Sequence, residues 1–177
     1  MSNESRTIAD AQANVKNIPG PVTAAYKANV QMVIERLNQL RSTEIVSYLQ
    51  YKQHAYMIVS LVGPGVKGEF LEHAGQELNH ADMLGERIAQ LGGTPLYDLC
   101  EIADRAAQQK VKADQGVTVE EMVMEDLEIE RNQAERYTNL IREIGDGDIV
   151  TREMLISILK DTEHHAAELR DMLQHRA

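Results

Sequence analysis

The scarcity of cysteine excludes a disulfide scaffold, because the 177 residues contain one, Cys100. A lone thiol closes no intrachain bridge and fits a reducing compartment, where Cys100 would act as a small buried or part-exposed hydrophobe. Proline is almost as rare, with four residues, so little interrupts a long helix. Aromatics amount to 4%, with no tryptophan. The common residues are Ala, Leu, Glu, Gln, Met and Arg, which lose little rotamer freedom in helices, so an all-helical chain is expected. No apolar run reaches the roughly 20 residues that cross a bilayer. Met1-Ser2-Asn3-Glu4 has neither a basic start nor an apolar segment, and the expectation is a soluble, cytoplasmic protein away from membranes. Positive charge is also short: 28 acidic residues face 18 basic ones, for a net charge of −10. Such a chain repels nucleic acid and attracts cations. Arg6, Lys16 and Lys27 against Glu4 and Asp10 are too little charge to reverse this, so DNA binding is not expected.

The length suits one domain with a sizeable core. Residues 1–22 are polar, without helical period, and include Pro19-Gly20-Pro21; they read as a tail. Residues 23–177 read as a four-helix bundle domain. The first helical pattern runs from Thr23 to Val62 and stops at Gly63-Pro64-Gly65. The second runs from about Val66 to Leu91, ahead of Gly92-Gly93-Thr94-Pro95. A long connection follows, with a helix-like stretch from Asp98 to Lys110. Thr118 opens the third helix, with Glu121 as its capping-box partner, and Gly145-Asp146-Gly147 ends it. The fourth runs from about Asp148 to His175. Short links join antiparallel neighbours, and the long one crosses the length of the bundle. No internal repeat is evident.

Each helix carries one apolar stripe at steps of three and four. Glutamate interrupts three of them in mid-stripe: Glu44 after Leu40, Glu77 before Ala81 and Glu130 after Leu127. Histidine stands at the same height in two, as His80 on the flank of the second stripe and His165 beside Thr162 in the fourth. Glu77 and His80, three apart, share one helix face. Helix centres fall in one layer of an antiparallel bundle, so the five side chains can converge. Buried carboxylates without partners cost several kcal/mol each, and like charges gathered together add to that cost. No lysine or arginine occupies the stripes at this level; Arg41 lies toward an edge. A metal is the better answer, and carboxylates with imidazoles suit iron, manganese or zinc. The alternative is a set of buried side chains satisfied by one another's hydrogen bonds.

Other residues read more plainly. His73, one turn before Glu77, fits a satisfied core histidine better than an extra ligand. Asp126, one turn before Glu130, fits a boundary residue better than a partner of the ligands. His54, His164 and His175 read as solvated.

These motifs resemble the ferritin superfamily, and bacterioferritin most of all. They are Glu44 with Tyr51 in Thr43-Glu44-Ile45-Val46-Ser47-Tyr48-Leu49-Gln50-Tyr51, Glu77-Leu78-Asn79-His80-Ala81-Asp82, Val119-Glu120-Glu121-Met122 leading to Glu130, and Ile158-Leu159-Lys160-Asp161-Thr162-Glu163-His164-His165. The resemblance covers residues 27–92 and 117–173. It implies a dimetal site inside each subunit, with Glu44 and Glu130 as terminal carboxylates, His80 and His165 as terminal imidazoles, and Glu77 as a bridge. It makes Tyr51 a candidate electron donor beside the metals, although an aromatic core residue is an equal reading. It implies oxidation of Fe2+ by peroxide or dioxygen, iron storage and protection against oxidative stress.

The chain departs from the resemblance at four places. Thr162 stands where a second bridging glutamate is expected, so the second metal should bind more weakly or recruit another group, for which Asp161 is the candidate. Leu78 replaces a haem-ligating methionine, so no haem is expected. The chain ends about ten residues after His165, so no fifth C-terminal helix is expected. The tail and the stretch 98–110 resemble the Dps family of 12-subunit cages, whose own site uses paired histidines on the first helix, and here that helix has only His54. The expectation is a Dps-like homododecamer with a bacterioferritin-type site. Two alternatives stay open: a non-mineralising dimetal oxidase or manganese-dependent peroxide-disproportionating enzyme, and a structural or DNA-packing cage whose site has decayed at Thr162.

Overall fold

Asn29 begins the first long helix by accepting a hydrogen bond from the Met32 amide on its side chain, which satisfies one of the donors a helix start leaves open. In the computed structural model, which describes residues 20–58, 64–106 and 117–174, this helix is α1, Val30–Met57. It is followed by α2 (Pro64–Gln90), the short α3 (Leu99–Arg105), α4 (Val119–Ile144), a 3-10 turn (Gly145–Gly147) and α5 (Ile149–Gln174). The described residues thus hold five α-helices, four long and one short, and no strand. The short one lies in the crossover. The expected absence of a further C-terminal helix bears on residues 175–177, outside the described residues, as do His175, Val62, residues 107–110 and the tail as far as residue 19.

Local chemistry sets the remaining boundaries. Asp98 caps α3 through the amides of Cys100 and Glu101. Thr118 and Glu121 form the capping box expected for α4. The first helix starts at Val30 rather than Thr23 because the preceding backbone is bonded elsewhere. The amides of Lys27 and Ala28 donate to the Gly147 carbonyl, at 3.1 and 3.2 Å. A Cβ on Gly147 would fall 2.9 Å from the Ala28 nitrogen, so this approach requires glycine. Gly145, with φ of 52°, makes the turn that ends α4.

The helices pair as α1 with α2 and α4 with α5, and the pairs meet through α1 with α4 and α2 with α5. One apolar cluster contains Val33, Leu37 and Leu40 of α1 with Leu84 and Ile88 of α2 and Leu91 just after it, Tyr137 and Leu140 of α4, and Leu155 and Ile158 of α5. The other contains Tyr51 and Ala55, Phe70 and Ala74, Met122 and Val123, and Leu169. The start of α1 therefore packs with the end of α2, and the end of α4 with the start of α5. Neighbours are antiparallel, and a polar layer lies between two apolar caps.

Behind the first cap sits a buried ion pair. Arg87 donates to both oxygens of Asp148, at 2.9 and 3.2 Å, and to the Thr151 hydroxyl at 2.8 Å. Asp148 also accepts from the Tyr26 hydroxyl at 2.9 Å and from the Thr151 amide at 2.9 Å, which caps α5. One carboxylate thus ties the segment before α1, the end of α2 and the start of α5. Removing one member of a buried pair strands the other charge. Asp148→Ala is expected to lower the unfolding free energy by about 3–5 kcal/mol, read from the denaturant midpoint at constant slope.

Candidate metal centre

The polar layer consists of side chains that the antiparallel register forces to one depth. Glu44, Glu77, Glu130, Thr162 and His165 have no exposed surface, and His80 has 1%. The structure brings together the five residues expected from the sequence. His80 Nδ1 lies 3.4 Å from Glu44 Oε2 and 4.0 Å from Glu77 Oε1. His165 Nδ1 lies 3.3 Å from Glu77 Oε1 and 3.3 Å from Glu130 Oε1. Glu77 therefore stands between two half-sites, Glu44 with His80 and Glu130 with His165.

The half-sites are tied reciprocally. Tyr51, seven residues after Glu44, donates its hydroxyl to Glu130 Oε1 at 2.5 Å. Tyr137, seven residues after Glu130, donates to Glu44 Oε1. On the other two helices the outer nitrogens are exchanged in the same manner. His165 Nε2 bonds the amide oxygen of Gln76 on α2, and His80 Nε2 meets Asp161 Oδ2 on α5 at 3.3 Å. Gln76 and Asp161 each lie four positions before the histidine of their own helix. The spacing Glu-x6-Tyr, shared by α1 and α4, is the sequence signal that pairs Tyr137 with Tyr51. It also amounts to a repeat at the level of the site residues. The symmetry fails at one position, where Glu77 is matched by Thr162, whose hydroxyl is spent on the Ile158 carbonyl of its own helix.

Asp161 is 55% exposed. Its place is on the outer nitrogen of His80, not among the three carboxylates, because its Cα is turned one position off the buried stripe of α5. Arg41 is buried but turned to the crossover, donating to the Leu96 carbonyl with its guanidinium 4.7 Å over the Tyr97 ring. It supplies no charge to the layer. Leu78 lies on the outer side of α2, 43% exposed.

The buried polar atoms show what the layer lacks. Glu44 Oε2, both oxygens of Glu77, Glu130 Oε2 and His80 Nδ1 have no hydrogen-bond partner. Each imidazole faces oxygen acceptors at both nitrogens, although a neutral ring has only one N–H to give. A lone pair directed at a carboxylate is repulsive unless a cation lies between them. Without one, protons take that role. Burial, then the charges of Glu44 and Glu130, hold the Glu77 carboxyl well above its usual range. Burial would also raise Glu44, but hydrogen bonds with Glu77, His80 and Tyr137 outweigh it and hold that carboxyl low. Burial would lower His80, but Glu44 and Asp161 outweigh it and raise the ring. Burial and the surrounding carboxylates hold the Tyr51 and Tyr137 hydroxyls protonated far above their normal range. Five oxygen and nitrogen donor groups at this spacing fit two first-row divalent cations better than this arrangement of shared protons.

Three histidines and Asp126 need comment. His73 stacks on His165 with centroids 4.1 Å apart, and one ring nitrogen groups with Glu130 and His165 within 4.8 Å. Burial, then His165, pushes its pKa down to about 4, so the ring is neutral. His54 is not solvated. It is 3% exposed, and its Nδ1 lies 2.9 Å from Asp126 Oδ2, while Nε2 lies 2.9 Å from the Gln50 amide nitrogen. Asp126 is likewise buried, and burial pushes its carboxyl up to about 6. The stripe reading missed both because α1 buries a second, polar flank against α4, where Gln133 also bonds Ser47 at 2.6 Å. His164 is exposed, as expected, and Cys100, in the first turn of α3, is exposed as well rather than in the core.

Comparison with known proteins shows a ferritin-like fold and family. A model of the ferritin-like domain matches residues 34–177. The chain is similar to a bacterial ferritin of Neisseria meningitidis, 31% identical over 149 residues, covering 81% of this chain and 88% of the relative. It is similar to a DNA protection during starvation protein of Pyrococcus furiosus, 27% identical over 146 residues, covering 82% of this chain and 78% of the relative. A solved dodecameric thioferritin, the bacterioferritin-related protein from Bacteroides fragilis, superposes with a TM-score of 0.76 at 28% identity, covering 84% of this chain and 88% of that one.

The raised Glu77 carboxyl makes the metal-free protein pH-sensitive. With its folded-state pKa above the unfolded value, its contribution is fully present below the unfolded pKa of about 4.3 and lost as pH rises through the folded pKa. Glu77→Gln is therefore expected to melt higher than wild type at pH 8 in the presence of chelator and equally at pH 4. Adding Zn2+ at pH 8 should raise the wild-type melting temperature by clearly more than that of the variant.

Proposed function

The chain belongs to the ferritin-like family, and from that premise we propose that it oxidises and stores iron, with the buried carboxylate–histidine layer as its ferroxidase site. The observation that carries this reading is the set of orphaned donor atoms: three fully buried glutamates whose free oxygens face one another and two imidazoles, with no hydrogen bond to neutralise them.

In this reading two Fe2+ ions are the substrate. Glu44 and His80 hold one, Glu130 and His165 the other, and Glu77 joins them. Gln76 and Asp161 fix the ring planes from outside, which keeps Nδ1 of each histidine turned inward. Each Fe2+ gives up one electron, and peroxide takes two electrons and two protons to become two waters; dioxygen serves as the alternative acceptor. Three carboxylates in a water-poor layer stabilise the higher charge of Fe3+ more than that of Fe2+, and this drives the transfer. Tyr51 and Tyr137 anchor the terminal carboxylates. With Thr162 bonded to its own helix, the joining group on that side is missing, and the second ion is held more loosely than the first.

The assembly we infer is a closed homo-oligomer, as in the dodecameric relative, within which the product mineralises away from peroxide. Leu49, Leu78, Tyr97, Leu99, Ile149 and Val150 are apolar and exposed in the single chain, as expected of subunit surfaces covered in a shell. The net charge of −10 opposes DNA, so protection would act through removal of Fe2+ and peroxide together. No helix among the described residues is long and apolar enough to cross a membrane.

The test is Fe2+ oxidation with peroxide and with dioxygen, followed by absorbance, for wild type and Glu77→Ala on assemblies of matched size. A loss of at least ten-fold in initial rate is expected for the variant. Equal rates would remove the site assignment. Light scattering on the same samples separates a shell from the dimer or hexamer that a non-mineralising dimetal enzyme would form.

A further inference from the structure

Beyond the five residues of the centre, α2 continues as a ladder. Glu69, His73, Glu77 and His80 follow at steps of four, four and three, so that each lies about one turn, or 5.4 Å of axial rise, beyond the last. The inner two rungs belong to the site already described. The outer two do not, and they face Glu168 of α5. His73 Nε2 lies 3.0 Å from Glu168 Oε2, and one donor atom each from Glu69, His73 and Glu168 lie within 4.8 Å of one another. His164 Nε2 stands 3.3 Å from the other oxygen, Glu168 Oε1.

The burial of this cluster is graded. Glu168 is 37% exposed and Glu69 is half-buried, whereas His73 is 1% exposed. The second nitrogen of His73, Nδ1, is buried and has no hydrogen-bond partner, so its ring is satisfied on one side only. Histidines buried for packing are normally bonded at both nitrogens or turned to solvent at one. His73 is also shared between two sets. It groups with Glu69 and Glu168 on the outside and with Glu130 and His165 on the inside, stacking on the latter ring at 4.1 Å. The donor atoms thus run from solvent to the buried layer.

We infer that Glu69, His73 and Glu168 form a third divalent-cation site, at the surface end of this ladder, which loads the buried centre. A cation about 2.1 Å from each donor sets its ligands about 3.4 Å apart. His73 and Glu168 already stand at 3.0 Å, and Glu69, on a flexible half-buried side chain, closes the remainder. Two carboxylates leave the bound cation with no net charge, and one imidazole adds a neutral ligand. Because Glu168 is 37% exposed, solvent screens that attraction, and the site holds a divalent ion less strongly than the water-excluded layer inside, as a passing station requires. Binding there does not depend on the two-iron reading, whereas its role as the entrance rests on it.

Zn2+ is the probe, with full-length assembled protein freed of metal. Equilibrium dialysis should give three zinc ions per subunit for wild type and two for Glu69→Gln/Glu168→Gln. Crystals soaked in zinc should show an anomalous peak touching Glu69, His73 and Glu168 in wild type, which needs no variant to fold. Glu77→Ala should lose the inner ions and keep this peak. In the double variant, Fe2+ oxidation should need several-fold more iron to reach half its maximal rate, with the maximal rate itself unchanged. Two zinc ions in wild type with no outer peak would overturn the third site. An outer peak with unchanged iron dependence in the double variant would overturn its role as entrance. Retention of every ion by Glu77→Ala would instead remove the inner assignment and leave the outer one standing.

Discussion

The structure depends on one constraint: three carboxylates occupy a layer from which water is excluded, between two apolar caps that hold it shut. Leu37, Leu84 and Leu155 lie on one side, and Phe70, Val123 and Leu169 on the other. The caps supply the folding energy, and the layer spends part of it on charge. That arrangement is stable only if neutralising charge is available. The atoms left without hydrogen bonds, on Glu44, Glu77, Glu130 and His80, mark where it belongs. A structure optimised for stability alone would fill such a layer with hydrocarbon. Its retention here leaves buried donor atoms that only a cation or a proton can neutralise.

The reciprocal hydrogen bonds explain how a layer of buried like charges keeps its shape. The tyrosine of α1 holds the glutamate of α4, and the tyrosine of α4 holds that of α1. The α2 histidine, His80, is likewise held by Asp161 of α5, and the α5 histidine, His165, by Gln76 of α2. Glu44, Glu130, His80 and His165 are thus each positioned by a group from another helix, so the geometry is a property of the packed bundle and of no single segment. Gln76 is neutral and Asp161 charged and half in solvent, while Glu77 has only Thr162 opposite it. The two halves therefore differ in charge although they match in position. Two cations bound there would differ in affinity, one being held by the better-compensated half.

The polar flank between α1 and α4 adds a second lesson about burial. Ser47, Gln50 and His54 on α1 meet Asp126 and Gln133 on α4. This interface is held by hydrogen bonds where the faces toward α2 and α5 are held by packing. A carboxyl there is neutral or charged depending on pH near about 6, within one helical turn of Glu130. Polar burial of this kind leaves no trace in an apolar stripe, and it is the reason a histidine that reads as solvated proves to be inside.

What the sequence determined by itself follows from local and periodic physics. The scarcity of proline, the stripes at steps of three and four, the capping box at Thr118 and the turn at Gly145–Gly147 specify four long antiparallel helices. Equal depth in such a bundle brings Glu44, Glu77, His80, Glu130 and His165 together. These are consequences of spacing along one helix and of the shortness of links between helices. Partnership across helices was decided only in the tertiary structure. The swap of Tyr51 and Tyr137, the placing of Asp161 outside His80, the pairing of His54 with Asp126 and the shift of the first helix to Val30 by way of Gly147 each depend on which flank of one helix faces another. A helix presents every flank equally in its own sequence, and only packing decides which of them is inside.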